Sequence, residues 1–375
     1  SNPAQHGDGA CRREPFGDEE TRRDGTAASD AGLTVQHHVP SLLEVSSQLG
    51  DETSGLWEGG SLEILDGLVR ESHPGCLHRP GSLLDALGRL EARELPPRRR
   101  EERLDLASLP WVGDHRPNYT RPALPMASLL DRCAAAALDY VRERYPNQSS
   151  APWQAVEVRD LGLSGWALVD QPLTLRSSVL PRRALASADP IDSVELEVTL
   201  EQRREGEECY RPLCKATVDV ARQHAAAPPP WTRPADADLD DDPYASGALF
   251  HGPSLRQLSE LRTGSSGSSA LLDAGAALAA GVPRGALHQA LLDAALHGIP
   301  HDALHRWAPG ADPERLGYPL RVTRARFFAE APESGPVRCE ARFRGLEAGG
   351  QLARFDVQLL VGSGERDPAQ RDGFR

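Results

Sequence analysis

The sequence predicts an α+β fold, in which a long helix packs against a curved antiparallel sheet and the same unit follows a second time. Three observations support this prediction. One stretch has apolar residues at helical spacing, and several segments with alternating apolar and polar residues come after it. A linker rich in proline and aspartate follows, and the same order of elements then repeats. The two halves have no strong sequence similarity, so the duplication is predicted from element order alone.

Composition places the chain among globular proteins and excludes two classes of function. The chain has 375 residues, of which 39% are hydrophobic and 26% are charged, which is enough for two domains. No apolar stretch is long enough to span a membrane. The net charge of -13 opposes binding to a nucleic-acid backbone, because proteins that bind one are normally basic. Six scattered cysteines without a CxxC pair, and no recognisable signal peptide, favour the cytoplasm.

The first 103 residues have no fold that can be assigned from the sequence. Residues 1 to about 32 are polar and predicted to be disordered, and the charged run at 98–103 is predicted to be a solvated linker. Between Met126 and Tyr145, apolar residues at helical spacing predict a long helix, which Pro125 can start. Strands are then predicted around residues 156–158, 173–175, 194–200 and 216–220.

The second unit repeats this order. The linker covers residues 225–245, where three consecutive prolines stiffen the chain and several aspartates keep it solvated. Strand-like residues 258–272 lead to a predicted helix from about Arg284 to Leu296. Further strands are predicted at 321–328, 337–343 and 355–361. The predicted organisation is therefore a leader and linker over 1–103, a first unit over 104–224, the linker, a second unit over 246–365 and a tail over 366–375.

Two residues in different halves are the candidates for acid–base chemistry. His115 lies in a loop before the first helix, where partial burial would bring its pKa near the working pH. Asp293 lies in the second predicted helix between leucines and alanines. A buried carboxyl there must be paired or protonated, and a raised pKa would suit a proton donor. His297 follows one turn later and could hydrogen-bond to Asp293. The alternative interpretation of both candidates is an exposed residue without a catalytic role.

The remaining histidines suggest a turn and a rival kind of site. The pattern Phe250-His251-Gly252-Pro253 indicates a sharp turn beside something that needs room. The rival is a metal site built from His297, His301 and His305. His301 and His305 are four residues apart, but Pro300 breaks the helix that would align His297 with them, and a third ligand is unclear. The sequence therefore predicts no metal site.

At these residues the sequence resembles the dehydratase domains of modular or iterative polyketide synthases and of related polyunsaturated fatty acid synthases. The family's helix motif HPxxLDAxxQ reads His288-Gln289-Ala290-Leu291-Leu292-Asp293-Ala294-Ala295-Leu296-His297 here. The family's turn motif YGPxFQ reads His251-Gly252-Pro253-Ser254-Leu255-Arg256. The family's motif HxxxGxxxxP corresponds to His115 followed by Pro125, one residue longer, with Tyr119 in the place of the glycine. The resemblance covers roughly residues 104–362.

The resemblance implies a double-hotdog fold, with two long helices that are each wrapped by a curved antiparallel sheet. It implies removal of water from a β-hydroxyacyl thioester carried by an acyl carrier protein. In that reaction His115 would take the α-proton, Asp293 would protonate or hold the leaving hydroxyl, and His297 would orient Asp293. The residues that would contact the substrate are Tyr119, Pro125, His251, Gly252, Pro253 and His288.

The same resemblance implies the partners and the cofactor requirement. No cofactor is expected besides the phosphopantetheine of the acyl carrier protein, and no metal is expected. The expected partners are that carrier protein and neighbouring domains of a bacterial polyketide or polyunsaturated fatty acid assembly line, and homodimerisation is left open. Three alternatives remain. The His/Asp pair could shift an enoyl double bond, it could close a ring, or the chain could be a non-catalytic acyl-binding scaffold.

Overall fold

The computed structural model describes residues 29–33, 97–117, 120–146, 151–185, 192–239, 242–312, 317–347 and 352–361. The strands of this part of the chain are β1 (Ser29–Leu33), β2 (Arg98–Leu104), β3 (Gln154–Leu163), β4 (Leu173–Leu185), β5 (Ser193–Arg204), β6 (Arg211–Ala221), β7 (Asp238–Leu239), β8 (Leu258–Thr263), β9 (Gly267–Asp273), β10 (Gly317–Arg326), β11 (Pro336–Glu347) and β12 (Leu352–Val361). Its α-helices are α1 (Met126–Arg144), α2 (Ala276–Ala279) and α3 (Gln289–Ala294). Single 3-10 turns lie at Pro110–Asp114, Pro253–Leu255 and Leu304–Arg306.

The strands form one continuous sheet with two halves. Its order is β2-β4-β5-β6-β3-β10-β1-β12-β11-β9-β8-β7, so each half of the chain supplies one half of the sheet, except that β1 lies between β10 and β12 of the second half. The halves meet where β3 pairs antiparallel with β10. Helix α1 packs on β3, β4, β5 and β6, while α3 packs on β9 and against α1. This arrangement confirms the predicted fold class and brings the second half's helix against the first half's helix.

Helix α1 forms because its sequence is helical in spacing and has clear ends. Pro125 stands at its N-cap, where its missing N–H costs no hydrogen bond, and Arg142 and Arg144 lie in its last turn, where a positive charge suits the helix dipole. The N–H of Tyr145 closes the last turn on Val141. The helix buries its apolar face at Leu129, Leu130, Cys133, Ala137, Leu138 and Val141.

Alternation of apolar and polar residues places one face of each long strand in the core. In β5 the residues Val194, Leu196, Val198 and Leu200 are buried, and the residues between them are half-buried. The predicted strands at 156–158, 173–175, 194–200 and 216–220 lie within β3, β4, β5 and β6 and are confirmed. The second half's predictions are confirmed in β8 to β12, with the stretch 258–272 folded as a hairpin of two strands.

The second helix is much shorter than predicted. Helix α3 has six residues, whereas the spacing predicted a helix from Arg284 to Leu296. Gly285 has a φ of 79°, a left-handed conformation that an α-helix does not contain, so the helix begins only after it. Beyond Ala294 the N–H groups of Leu296 and His297 bond three residues back rather than four, which tightens the chain into a turn.

Two segments predicted to lack structure are strands. The charged run at 98–103, predicted to be a linker, belongs to β2, which pairs antiparallel with β4. Most of its side chains are exposed, as expected for the charged edge strand of a sheet. Residues 29–33, the last part of the predicted leader, form β1 and pair in parallel with β10 and β12. Predictions for residues 1–28, 34–96 and 362–375 lie outside the described residues, and the domain boundaries stay a prediction.

Two polar contacts join α1 to the segment around the start of α3. Asp131 of α1 accepts a hydrogen bond from the N–H of Leu287 at 2.6 Å, and the hydroxyl of Ser128 donates to the side-chain oxygen of Gln289 at 2.6 Å. Burial raises the pKa of Asp131 to about 6. These contacts fix the second half's helix on the first half's helix. Within the described residues no helix is both long and apolar enough to cross a membrane.

Candidate functional site

The loop that carries His115 is held in place by its own backbone. His115 ends the 3-10 turn Pro110–Asp114, and its N–H bonds to the carbonyl of Val112 at 3.0 Å. The N–H of Ala123 bonds back to the carbonyl of His115, and the Ala123 carbonyl lies 2.8 Å from His115 Nδ1. The imidazole is 7% exposed. The loop therefore places His115 directly before α1 with one ring nitrogen already engaged.

The helix that carries Asp293 is capped by His288. The Nδ1 atom of His288 accepts from the N–H of Leu291, and its Nε2 donates to the carbonyl of Ala274 at 2.9 Å. Both ring nitrogens of His288 are thus occupied by the backbone. Asp293, 7% exposed, lies one turn into the helix beside His297. The predicted adjacency of Asp293 and His297 is present in the structure.

The turn after His251 is fastened to the residue before His115. The N–H of Gly252 donates to the carbonyl of Asp114 at 2.8 Å, and the N–H of Ser254 donates to the Asp114 carboxylate at 2.9 Å. A Cβ on Gly252 would lie 2.7 Å from the Cβ of Asp114 and closer still to its carboxyl group. Glycine is therefore required for this approach. The room that the Gly-Pro pattern indicated is occupied by Asp114.

These contacts bring four titratable side chains from both halves into one cluster. The Nε2 atom of His297 lies 3.1 Å from Nε2 of His251 and 3.5 Å from Oδ2 of Asp293. The Nε2 of His251 lies 3.7 Å from the same carboxylate oxygen. His115, His251 and Asp293 each offer one nitrogen or oxygen atom, and these atoms all lie within 4.8 Å of one another. The predicted meeting of His115 and Asp293 at the boundary between the halves is therefore present.

The hydrogen bonds fix which nitrogen of His115 carries its proton. A carbonyl oxygen only accepts, so Nδ1 of His115 must donate to Ala123 and its Nε2 must hold a lone pair in the neutral ring. Burial lowers the pKa of His115, more than the nearby Asp293 charge raises it. The imidazole is therefore neutral at pH 7 and presents a basic nitrogen.

A second chain of hydrogen bonds fixes His297 and His251. The hydroxyl of Tyr244 accepts from the N–H of Leu258 at 3.2 Å and so directs its own proton to His297 Nδ1 at 2.7 Å. His297 then carries its proton on Nε2, which faces His251 Nε2 and Asp293. In turn His251 Nε2 accepts and its Nδ1 carries the proton. Burial lowers the pKa of His251, so this ring is also neutral.

The cluster leaves one donor and one acceptor without a partner. Within the described part of the chain, neither His251 Nδ1 nor Asp293 Oδ2 has a hydrogen-bond partner, although both atoms are buried. Unpaired buried polar atoms are costly and are rare in folded proteins. An oxygen that both donates and accepts, such as a hydroxyl, would satisfy both.

The charge state of Asp293 differs from the expectation. Burial works to raise its pKa, as the sequence predicted, but the interaction with His297, whose Nε2 lies 3.5 Å from Oδ2, and the closeness of His251 outweigh burial and lower the pKa of Asp293. The carboxyl is therefore ionised in the free protein at pH 7. Its oxygens accept hydrogen bonds, and it is not a ready proton donor.

The cluster lines a cavity of about 270 Å³ between the two halves. Its walls are mostly apolar, and Leu124, Met126, Leu129, Leu163, Leu249, Phe250 and Leu296 contribute to them. Trp166 also lines it, is 46% exposed and packs edge-on against Tyr318 at 5.7 Å. The cavity suits an apolar chain that carries a polar group beside the cluster.

The predicted site residues fall into three groups. His115, His251, Asp293 and His297 line the cavity. His288, Pro125, Gly252 and Pro253 do not line it and instead cap α3, start α1 or build the turn after His251, so the structure does not support direct contact between them and a ligand in this cavity. Tyr119 lies outside the described residues. His301, from the rival metal set, lines the cavity with Nε2 on the carbonyl of Leu296, whereas His305 is exposed.

Sequence reasoning missed the aromatic residues Tyr244 and Tyr318 of the site and placed Phe250 only in a turn pattern. Tyr244, which lies in the predicted linker, is buried and anchors His297. Phe250 stacks on His251 with ring centres 4.3 Å apart, and Tyr318 contacts Phe250 at 6.5 Å. A lone tyrosine in a linker of prolines and aspartates was the signal that could have identified Tyr244, because such a residue seldom belongs in a solvated connector.

The contact between Gly252 and Asp114 predicts the effect of a single methyl group. In Gly252→Ala the new Cβ overlaps Asp114, so we expect the free energy of unfolding to fall by about 1–3 kcal/mol and the His115 loop to shift. Gly113→Ala is the matched control, because a Cβ there meets nothing within 4 Å. Chemical denaturation measures both variants. Equal stability of the two variants would contradict the close contact between Gly252 and Asp114.

Comparison with known proteins gives a family match over part of the chain. A family model described as "Polyketide synthase dehydratase N-terminal domain" matches residues 219–369, a range that includes strands β7 to β12. The dehydratase domain from the CurK module of curacin polyketide synthase is similar in structure, with a TM-score of 0.50, 14% identity and coverage of 73% of this chain and 90% of that chain. A GphF dehydratase variant gives a TM-score of 0.50 at 14% identity, covering 70% and 88% of the two chains.

Comparison with curated proteins gives no match. The structural similarity establishes the fold, and the sequence match agrees with the resemblance that the His251 and Asp293 motifs indicated, whereas His115 lies outside the matched residues. The chain thus matches the polyketide synthase dehydratase family over residues 219–369 and has the double-hotdog fold of that family's dehydratase domains.

Proposed function

We propose that this protein removes water from a β-hydroxyacyl thioester to give the α,β-enoyl thioester. The observation that carries the proposal is the meeting of a His115 ring nitrogen with the Asp293 carboxylate in the wall of a mostly apolar cavity. A lyase of this kind needs a base for the α-proton and a group that holds the departing hydroxyl. The two halves of the fold supply one each.

We propose that the β-hydroxyl binds between the two unpaired atoms of the cluster. Its O–H would donate to Oδ2 of Asp293, and its oxygen would accept from Nδ1–H of His251. This pair of contacts distinguishes a hydroxyacyl chain from one without the hydroxyl, because the latter leaves both buried atoms unpaired. His297 and Tyr244 hold Asp293 and His251 in this arrangement.

The proton balance follows from the charge states. The α-proton passes to Nε2 of His115, the C–H electron pair becomes the new double bond, and the C–O bond breaks with its electron pair on oxygen. The imidazolium of His115 then returns its proton to that oxygen, which leaves as water. His115 and Asp293 are near enough for one oxygen to reach both, since their facing atoms lie within 4.8 Å. His115 ends the cycle neutral and Asp293 stays ionised throughout.

The substrate carrier and partners follow from the same proposal. We propose delivery on the phosphopantetheine of an acyl carrier protein, within a bacterial polyketide assembly line and beside its other domains. A polyunsaturated fatty acid line is the alternative setting. Three arginines of β10 could offer positive charge to the carrier's phosphate, but they form ion pairs within the chain, Arg324 and Arg326 with Glu157 and Arg321 with Asp160. These pairs favour a solvated ion-pair face over a phosphate site.

Replacement of either member of the pair tests the reaction. We expect His115→Ala to lower turnover of a 3-hydroxyacyl pantetheine thioester by about a hundred- to ten-thousand-fold, the usual contribution of a general base. We expect Asp293→Asn to lower it by about a hundredfold, because the carboxylate that holds the departing hydroxyl is lost. His305→Gln, which changes an exposed histidine, is the control. Circular dichroism checks that the variants fold.

Near wild-type turnover in either variant would overturn the assignment. The same assay, run with enoyl and hydroxy-enoyl thioesters, separates dehydration from the two related activities. Migration of the double bond or ring closure without loss of water would replace the proposed reaction by isomerisation or cyclisation. A folded wild-type protein that binds the thioester and converts none of these substrates would instead be an acyl-binding scaffold.

The lowered pKa of His115 gives a pH dependence with a definite sign. The base must be neutral, and burial lowers its pKa below the ordinary 6.5. We therefore expect kcat/KM to stay level as the pH falls from 8 through 6.5 and to decline only below that value. Rates measured across this range, with circular dichroism at each pH to exclude unfolding, give the midpoint. A decline centred at or above 6.5 would contradict a buried, neutral base.

We expect the reaction to need no metal or other cofactor. The thioester acidifies the α-proton and Asp293 holds the leaving group, so no Lewis acid is required by the proposed chemistry. Turnover should survive exhaustive chelation of the purified protein. Loss of turnover on chelation, restored by adding back one equivalent of zinc, would reverse this expectation.

A further inference from the structure

The proposed dehydration uses His115 and Asp293 as separate groups, but their surroundings also meet the requirements of a metal centre. His115, His251 and Asp293 are all buried, and each has one nitrogen or oxygen atom within 4.8 Å of those of the other two. Two imidazoles and one carboxylate are ligands that divalent zinc, cobalt and iron accept. Within the described residues, this is the group of three side chains whose possible metal-binding atoms all lie within 4.8 Å of one another.

The hydrogen bonds leave a lone pair on each imidazole where a metal ion needs one. A metal ligand must offer a lone pair. Nδ1 of His115 donates to the Ala123 carbonyl at 2.8 Å, so Nε2 of His115 holds a lone pair. Nε2 of His251 faces Nε2 of His297 at 3.1 Å as the acceptor and also holds one. The oxygen Oδ2 of Asp293 also lacks a hydrogen-bond partner in the described part of the chain.

The hydrogen bonds around the three proposed ligands are of the kind found around metal-bound side chains. Metal-bound histidines normally donate their second N–H to a carbonyl or carboxylate, which fixes the ring. His115 donates Nδ1–H to the Ala123 carbonyl at 2.8 Å and leaves Nε2 free. His297 directs its Nε2–H towards Asp293 at 3.5 Å and would steady the carboxylate from outside the ligand set.

The three side chains must move slightly closer together to bind one metal ion. Zinc lies about 2.0–2.2 Å from nitrogen and oxygen ligands, so tetrahedral ligands are about 3.4 Å apart. His251 Nε2 and Asp293 Oδ2, at 3.7 Å, are already near that spacing. The ion would displace the His297 N–H from His251 and draw His115 inwards. The fourth position would face the cavity.

We propose that His115, His251 and Asp293 bind one divalent transition-metal ion, such as zinc, and that this ion and a hydroxyacyl thioester exclude each other. The ion occupies the atoms that the proposed dehydration needs for the α-proton and the hydroxyl. Metal binding itself does not depend on the proposed function, because it is measured without substrate. The metal-bound form is the inhibited state of the site.

Titration of untagged, chelator-stripped protein with zinc alone and with cobalt alone tests the binding. We expect one equivalent of either metal and the visible absorption of four-coordinate cobalt. His251→Phe keeps the ring that stacks on Phe250 but removes both nitrogens, so its affinity should fall at least about tenfold. His305→Gln, the control for exposed histidine, should bind like wild type.

Two outcomes would overturn the metal site: no saturable binding to wild type, or equal binding to wild type and His251→Phe. A competition experiment tests the exclusion. Adding 3-hydroxyacyl pantetheine thioester to the cobalt-loaded protein should bleach the cobalt absorption, and an unchanged spectrum under saturating thioester would contradict mutual exclusion. A protein that dehydrates the thioester without binding metal would refute only the metal site, and one that binds metal without dehydrating would refute only the proposed function.

Discussion

The site depends on one long-range contact, between Asp114 and the turn that begins at Gly252. The Asp114 carbonyl and carboxylate accept from two backbone N–H groups of that turn, those of Gly252 and Ser254. His115 follows Asp114 directly, and His251 precedes Gly252 directly. The contact therefore fixes a residue of the first half beside a residue of the second half. Because a turn of 3-10 helix precedes His115 and another follows Gly252, the backbone on both sides has little freedom to separate them.

Around this contact, burial and hydrogen bonding decide the chemistry together. Desolvation alone would raise the pKa of Asp293 and make it a proton donor, yet its histidine neighbours reverse the shift. The same desolvation lowers the pKa of His115 and His251, so a neutral base stands next to an ionised acceptor. Neutral imidazoles and a carboxylate in one apolar cavity suit both roles inferred for the cluster, elimination of water and binding of a divalent ion. Tyr244 makes this possible, because its hydrogen bond to Nδ1 of His297 fixes the His297 proton on Nε2, the nitrogen that faces the cluster.

Local periodicity was enough to predict α1 and most strands, because each buries one regular face. It failed for β2, whose charged side chains face solvent along a sheet edge and so have no apolar alternation. It also failed for the length of the second helix, since the backbone is left-handed at Gly285, where the Asp131 carboxyl of the other half leaves no room for a Cβ. For the site, a carboxyl among leucines and alanines marked Asp293, and motif resemblance marked His115. The roles of Asp114 and Tyr244 could not be predicted, because both act across more than 50 residues of sequence.

The central claim is that the interface between the two halves eliminates water from a β-hydroxyacyl thioester. Mass spectrometry of a 3-hydroxyacyl pantetheine thioester incubated with the wild-type protein in H₂¹⁸O measures this directly. We expect a product lighter by one water, and slow exchange of ¹⁸O into the remaining hydroxyacyl thioester as the reverse reaction adds labelled water. A substrate that keeps its mass and gains no label at any protein concentration, with a folded protein, would contradict the claim.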